Sequence, residues 1–189
     1  QRTILPRTAR GAVGVRVKPF TALNVMAAVE RTFPLGSSDV DGDWLVRLGY
    51  GSSVGTDLRV DTASWWTSQL FAEAGHYIND SRDYFNSEWQ VGRSYAIGGT
   101  GSRWVSFPHV VAAFDYDSKM HSETAADGST DSSSGKAGGL GVGNNVRYWF
   151  REDTYNAPRS YVDFSLQYRV KVVGDERAEG VFARLTYSY

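Results

Sequence analysis

The sequence predicts an all-β protein, and more specifically a transmembrane antiparallel up-and-down β-barrel. From Tyr161 to Lys171 the even positions are apolar and the odd positions are polar, which is the period of a strand with one wet and one apolar face. The last segment repeats this alternation and ends on the aromatic Tyr189, like the closing strand of an outer-membrane protein. Mean hydropathy is only -0.37 despite 6 Trp, 11 Tyr and 9 Phe. A barrel explains why the low mean hydropathy and the many aromatic residues occur together, because only every second strand residue contacts lipid.

Nine strands are predicted along the chain, and turn residues separate them. They span roughly 12–19, 22–34, 43–52, 64–78, 83–97, 103–117, 137–151, 159–173 and 178–189. The predicted lipid faces include Val13, Val15, Val17, Val25, Val29, Trp44, Val46, Leu48, Leu70, Trp89, Tyr95, Val110, Leu140, Val142, Phe164, Leu166, Val181 and Leu185. No segment sustains a helical apolar stripe, so we expect no helix of consequence.

The opposite strand faces carry charges of both signs. Their principal members are Arg16, Lys18, Glu30, Arg47, Glu73, Asp115, Arg147, Asp163, Arg169 and Arg184. In a barrel, these side chains would point into the lumen and pair there. A soluble sandwich would instead expose them and bury the apolar face.

The strand count suggests which connections face outward. With the C-terminus in the periplasm, the longest connection, Ser118 to Lys136, falls on the outer side, where barrels carry their long loops. Loops carry recognition, so this one is the leading candidate for contact with a binding partner. The candidate contact residues are Lys119, His121, Glu123, Asp127, Asp131 and Lys136.

An odd strand count conflicts with the even count that is usual in single-chain bacterial barrels. About nine or ten strands are visible, and Pro6 makes a further full strand before residue 10 improbable. We therefore expect residues 1–189 to form a single outer-membrane β-barrel domain that is the C-terminal part of a longer protein and of a larger barrel. A small complete barrel remains the alternative.

Composition narrows the functional classes. Lys plus Arg number 20 and Asp plus Glu number 21, a balance that argues against binding of nucleic acid through phosphate contacts. The absence of cysteine excludes a disulfide scaffold and a thiolate metal site. There is no run of about 18 apolar residues, so a transmembrane helix is not predicted. Residues 1–11 contain three arginines and no apolar core of a signal peptide.

Three sequence blocks resemble a known family. They are GVRVKPFTALNVMAAVERTFPLG (Gly14 to Gly36), DWLVRLGYG (Asp43 to Gly51) and YWFREDTYNAPRSYVDFSLQYR (Tyr148 to Arg169). Together they look like the C-terminal domain of bacteriophage adsorption protein A. The resemblance implies an outer-membrane domain that follows a periplasmic helical-repeat region, in proteins that act as phage receptors. It also implies a relation to exopolysaccharide-export porins that work with an inner-membrane glycosyltransferase. It supplies no individual functional residues.

Two short motifs are compatible with chemistry, but each has a simpler explanation. Gly51 to Gly55 matches the G-x-S-x-G of hydrolases, yet a polar turn follows instead of the required helix. Asp39 to Asp43 offers clustered carboxylates for calcium, but the glycine position and the missing downstream glutamate favour a hairpin turn. Calcium bridging to lipopolysaccharide at the outer rim stays open.

The three histidines and two of the arginines are further candidate site residues. His76 is the one candidate base for a lipid hydrolase, with Ser68 and Ser87 near in sequence; His109 is expected in the lumen and His121 in the outer loop. Arg31 and Arg93 fall on predicted lipid faces. Arg31 is expected to reach lipopolysaccharide phosphates, whereas Arg93 suggests a bulge that reverses the faces of strand 83–97, or a misassigned face.

The sequence thus predicts a non-enzymatic domain of the bacterial outer membrane, with no catalytic residues, cofactor or bound metal. Its role would be phage adsorption and also exopolysaccharide export as a porin. The expected partners are outer-membrane lipid and lipopolysaccharide, a phage tail protein, a periplasmic repeat scaffold and an inner-membrane glycosyltransferase, with no nucleic acid. The rival classes are a lipid-modifying barrel enzyme and a soluble lipocalin-like or lectin-like β-domain.

Overall fold

The computed structural model describes residues 10–20, 22–35, 41–119, 123–124, 130–131, 135–151 and 160–188. Within them lie eleven strands and one 3-10 turn, Glu176–Ala178. The strands are β1 Arg10–Val17, β2 Val25–Pro34, β3 Trp44–Val54, β4 Ser64–Tyr77, β5 Arg82–Ala96, β6 Trp104–Asp117, β7 Glu123–Thr124, β8 Thr130–Asp131, β9 Lys136–Arg151, β10 Ser160–Gly174 and β11 Gly180–Ser188. No helix in this part of the chain is long and apolar enough to cross a membrane.

The nine predicted strands are confirmed as one up-and-down sheet. Its order is β1-β2-β3-β4-β5-β6-β9-β10-β11, so sequence neighbours pair throughout, and the pairings given for β1–β2, β2–β3, β9–β10 and β10–β11 are antiparallel. In the described residues β1 and β11 each have one neighbour, and the strand order is open at both ends. The short strands β7 and β8 pair with each other inside the connection that the sequence predicted as a loop.

Two compact units divide the described chain. The first is formed by the described residues within Gln1–Gly51, Phe71–Asn86 and Asp115–Gly135. It contains the β1–β2 pair, in which Val15 lies opposite Val29, and the β2–β3 pair, in which Glu30 lies opposite Leu45. The second is formed by those within Ser52–Leu70, Ser87–Phe114 and Lys136–Tyr189 and contains β9, β10 and β11.

The two faces of β10 show the opposite burial to that of a strand in a soluble protein. Phe164, Leu166 and Tyr168 are 49%, 47% and 53% exposed. On the other face, Asp163, Ser165 and Gln167 are 3%, 2% and 4% exposed. The predicted alternation is therefore present, and it places polar side chains inside and apolar side chains outside. A lipocalin-like or lectin-like domain requires the reverse arrangement.

Other strands of each unit also expose apolar side chains. In the second unit these are Trp66, Trp89, Tyr95, Trp104, Val110, Leu140, Val142, Val181, Leu185 and Tyr187, and in the first unit they are Val13, Val15, Val29, Trp44, Val46 and Leu48. Exposed apolar patches of more than a few hundred Å² are uncommon on soluble monomers and mark contact surfaces.

The predicted reversal of faces in β5 is wrong. Trp89 and Tyr95 are exposed and Gln90 and Ser94 are buried, so the alternation runs through Arg93 without interruption. Arg93 lies on the exposed face, where its Nε and Nη2 donate to Ser64 Oγ at 3.2 and 2.9 Å. Because Arg93 lies three residues before the strand ends at Ala96, a long flexible stem can carry its charge to the edge of an apolar band.

A small apolar core lies on the polar side of the second unit. It consists of Leu58, Trp65, Ala96, Val105 and Trp149, with Tyr161 packed against it. Leu58 belongs to the β3–β4 connection, residues 55–63, which the sequence predicted as a polar turn. This connection thus contributes a buried side chain to the interior of the unit.

Candidate functional site

Buried ion pairs occupy the polar face of the first unit. Arg47 donates through Nη2 to Glu30, and its Nη1 lies 3.5 Å from Glu73 Oε2. Tyr84 OH donates to Glu73 Oε1 at 2.8 Å. Gly75 leaves room for the Tyr84 ring, because a Cβ at Gly75 would stand 2.2 Å from a carbon of that ring. Buried charges require such partners, because an unpaired one costs several kcal/mol. These contacts fix the side chains of the neighbouring strands β2, β3, β4 and β5.

A second polar network lies on β5, β6, β10 and β11 in the second unit. Arg169 donates to Glu88, while Arg184 Nη2 is 3.8 Å from Glu88 Oε1. His109 Nδ1 lies 2.9 Å from the carbonyl oxygen of Phe107, so Nδ1 carries the proton and Nε2 accepts from Gln167 Nε2 at 3.2 Å. His109 therefore acts as a satisfied polar side chain of the interior.

The predicted lumen charges are all on described strands or beside them. Glu30, Arg47, Glu73, Arg147, Asp163 and Arg169 are largely buried and paired. Arg16 and Arg184 are more than half exposed, at 3.9 and 3.8 Å from their glutamates. Lys18 Nζ donates to Asn24 at the exposed end of β1, and Asp115 is half-buried on β6.

Asp43 organises the loop end of the first unit. The residue exchanges backbone hydrogen bonds with Thr32, at 2.7 and 3.2 Å, which closes the β2–β3 pairing and fixes its position. Its carboxylate then accepts three backbone N–H groups, from Trp44 at 2.6 Å, Asn79 at 2.8 Å and Asp80 at 2.9 Å. A single buried side chain thereby ties the β4–β5 turn to the start of β3.

The charge state of Asp43 follows from these contacts. Burial raises the pKa of the carboxyl, but the three backbone N–H groups, with a contribution from Arg10, outweigh burial and hold the pKa below its usual range. Hydrogen bonds to an ionised carboxylate favour the ionised form. Asp43 is therefore a fixed negative charge at neutral pH.

Further pairs connect the β4–β5 turn with the end of β6. Arg82 forms a two-pronged contact with Asp117, with Nε at 2.9 and 3.1 Å from its two carboxylate oxygens. Lys119 donates through Nζ to Asp80 at 2.9 Å, and its backbone N–H donates to Asp117 at 3.0 Å. We call Asp43, Asp80, Arg82, Asp117 and Lys119 the loop-end cluster.

A polar cavity of about 430 Å³ opens beside the loop-end cluster. It is lined by Arg10, Asp41, Gly42, Asp43, Asn79, Asp80, Arg82 and Lys119. Arg10 and Arg82 also lie over the ring of Tyr77, at 5.2 and 5.6 Å from its centroid. The cavity thus presents hydrogen-bond donors and acceptors and charges of both signs, and the contacts of the loop-end cluster hold the backbone around it. This combination suits recognition of a polar surface by hydrogen bonding.

The predicted contact loop is only partly described. Lys119 belongs to the loop-end cluster, and Lys136 is an exposed residue at the start of β9. Glu123 and Asp131 lie opposite each other in the β7–β8 pair, where only the backbone is described. His121 and Asp127 lie outside the described residues. The sequence did not predict Asp43, Arg82 or Asp117 as part of this site.

The contacts of the described residues give little support to the hydrolase and calcium hypotheses. His76 Nδ1 pairs with Asp83 Oδ1 at 2.7 Å, and Ser68 Oγ accepts from Trp89 Nε1 at 3.0 Å. The serines of the G-x-S-x-G match lie inside β3, so the strand-to-helix elbow is absent there. Within the described part of the chain, no three His, Asp or Glu side chains form a metal-ligand group, and Asp39 and Val40 of the carboxylate motif lie outside it.

Comparison with known families gives a match over nearly the whole chain. The family model described as "Bacteriophage N adsorption protein A C-term" matches residues 4–185, nearly the whole chain. The chain belongs to this family. The resemblance inferred from the three sequence blocks is thus confirmed, and all three blocks lie within the matched range. No curated protein and no solved structure shows significant similarity to this member of the adsorption protein A family.

Proposed function

We propose that this adsorption protein A domain is an outer-membrane β-barrel that serves as a phage adsorption receptor through its loop end. The observation that supports the membrane part is the reversed character of β10, where Phe164, Leu166 and Tyr168 are exposed and Asp163 and Ser165 are buried. In a bilayer the exposed face contacts hydrocarbon, while the buried polar groups satisfy one another. The family membership supports a location at the cell surface.

Barrel closure requires partners for the outer edges of β1 and β11. A membrane-embedded strand cannot leave a row of N–H and C=O groups unpaired, because each unsatisfied group costs several kcal/mol in hydrocarbon. The two edges therefore pair with each other or through additional strands. The polar faces of both units then line the lumen, with Glu30, Arg47, Asp163 and Arg169 among its charges.

Binding without catalysis is the proposed mechanism at the loop end. The loop-end cluster fixes the backbone at the ends of β3, β4, β5 and β6 in the first unit. Connection 118–136 emerges from this cluster, since Ser118 and Lys119 are hydrogen-bonded to Asp83 and Asp117. A rigid base that carries a long loop is a common arrangement for a recognition surface.

Phage adsorption tests the receptor proposal. Cells that display the protein with residues 120–134 replaced by a short Gly-Ser turn should lose adsorption, whereas the loop-end substitution Asp41→Ala should reduce it less. Both proteins should still migrate differently on a detergent gel with and without boiling, as folded barrels do. Unchanged adsorption by the loop variant would contradict the assignment of this loop, while identical migration of the unmodified chain would contradict the barrel.

Exopolysaccharide export is the second candidate function. It is favoured by the polar face of the second unit, which presents the hydroxyls of Thr67 and Ser94 and the amides of Asn145 and Gln167 among paired charges. Such a lining suits a hydrated saccharide. Export would also bring in the periplasmic scaffold and the inner-membrane glycosyltransferase as partners. Production of extracellular polysaccharide by cells with and without the protein is the corresponding measurement.

A further inference from the structure

The β3–β4 connection, residues 55–63, is attached to the polar face of the second unit by its backbone. The carbonyl oxygen of Gly55 accepts from Trp65 Nε1 at 2.7 Å and from Thr67 Oγ1 at 2.9 Å. The next carbonyl oxygen, of Thr56, accepts from Arg147 Nη1 at 3.0 Å. A turn that merely joined two strands would present these carbonyl groups to water.

Arg147 is itself rigidly held. Its Nε donates to Asp163 Oδ2 at 2.8 Å, and its guanidinium lies 4.3 Å from the ring centroid of Tyr161 and 5.5 Å from that of Trp149. A planar guanidinium that is stacked and paired in this way has lost most of its freedom before it binds Thr56. The anchor for the connection therefore comes from β9 and β10, far along the sequence.

An apolar contact completes the attachment. Leu58 is buried against Trp65, Ala96, Val105 and Trp149, although its sequence neighbours Asp57 and Arg59 are polar. Gly55 permits the inward turn, because its φ of +68° is left-handed and a Cβ there would stand 2.1 Å from the carbonyl oxygen of Trp66. A cavity of about 20 Å³, enough for about one water molecule, lies beside the connection.

We infer that the β3–β4 connection is a plug that closes this end of the lumen in the second unit. The inference rests on the proposed barrel, since a plug requires a lumen. The plug is attached by hydrogen bonds to two backbone carbonyl groups and by one leucine, so it is released locally, without unfolding of the strands. Release exposes a lining of hydroxyl, amide and paired charged groups, which passes ions and hydrated polar solutes such as saccharides.

Conductance of the full chain in planar lipid bilayers tests the plug. The unmodified chain should stay mostly closed. Leu58→Ser removes the apolar anchor, and Trp65→Phe removes one of the two donors to the Gly55 carbonyl oxygen. Each substitution should raise the time-averaged conductance by about tenfold or more. The matched control is Val60→Ser, because Val60 belongs to the same connection but is 55% exposed and should leave conductance unchanged.

Three outcomes would overturn the inference. An unmodified chain that already conducts as well as Leu58→Ser would mean that the connection does not close the lumen. Equal increases in Leu58→Ser and Val60→Ser would mean that the connection affects conductance without its buried anchor. Identical gel migration of the boiled and unboiled unmodified chain would contradict both the barrel and the plug. If boiling changes the migration but either of the first two results is obtained, the plug alone is contradicted.

Discussion

Replacing Asp43 by alanine should destabilise the loop end of the first unit strongly. The substitution removes the acceptor of three backbone N–H groups, at 2.6, 2.8 and 2.9 Å, and leaves those of Asn79 and Asp80 without a protein partner. A hydrogen bond to a charged group contributes about 1.5 to 3 kcal/mol, and a solvated turn recovers part of this by binding water. We therefore expect the free energy of unfolding to fall by about 2 to 4 kcal/mol.

Urea unfolding of the chain folded in detergent micelles, followed by tryptophan fluorescence, measures this loss. Asp43→Asn should lose about half as much, because an amide oxygen in the place of Oδ1 still accepts from Trp44 and Asn79, while the bond from Asp80 and the negative charge are lost. Asp41→Ala is the matched control: Asp41 is two residues away and exposed, and its replacement should change stability by no more than about 0.5 kcal/mol. Equal stability of Asp43→Ala and Asp41→Ala would refute the role assigned to the Asp43 carboxylate.

Three further predictions use the same unfolding assay. Because folding lowers the pKa of Asp43, the stabilisation by its carboxylate is complete above the ordinary pKa of 3.8 and is lost as the pH falls through the folded value. Asp43→Asn should therefore weaken the decrease of the free energy of unfolding at acid pH, and an unchanged decrease would contradict this role of Asp43. Leu166→Arg should cost about 2 to 4 kcal/mol in lipid vesicles, well above Leu166→Ala, whereas equal costs would argue against contact with lipid. Arg169→Met should destabilise by about 2 to 4 kcal/mol, because it leaves Glu88 largely buried with a weaker partner. Adding Glu88→Met should restore part of the loss, and unchanged stability of Arg169→Met would contradict the role of this pair.

The strand sheet was predictable because it depends on local alternation. In β10 a polar residue at 163, 165 and 167 and an apolar one at 164, 166 and 168 define both the strand and its two faces. A shift by one residue would turn every side chain to the other side, so the register is strongly specified. Arg93 obeys the same rule and lies on the exposed face, and a bulge was predicted there only because its single charge was given more weight than the surrounding alternation.

The loop-end cluster was not predictable in this way. Asp43 is bound to backbone groups of Asn79 and Asp80, which lie 36 and 37 residues away, and backbone donors leave no pattern in the side-chain sequence. The sequence pattern instead grouped Asp43 with Asp41 and Gly42 as a turn or a calcium site. Likewise Leu58 is a single apolar residue in a polar segment, and only the folded chain brings it to Trp65 and Trp149.

Contact between lipid and the exposed face of β10 is the feature on which the proposed barrel depends most. The chain has no cysteine, so single substitutions such as Phe164→Cys, Ser165→Cys, Leu166→Cys and Gln167→Cys each provide one site for a spin label without background. Collision with molecular oxygen and with a water-soluble nickel complex then measures the environment of each label in vesicles. We expect labels at 164 and 166 to collide preferentially with oxygen, while those at 165 and 167 do not. Equal accessibility to the nickel complex at all four positions, or oxygen preference at 165 and 167, would contradict lipid contact by this face.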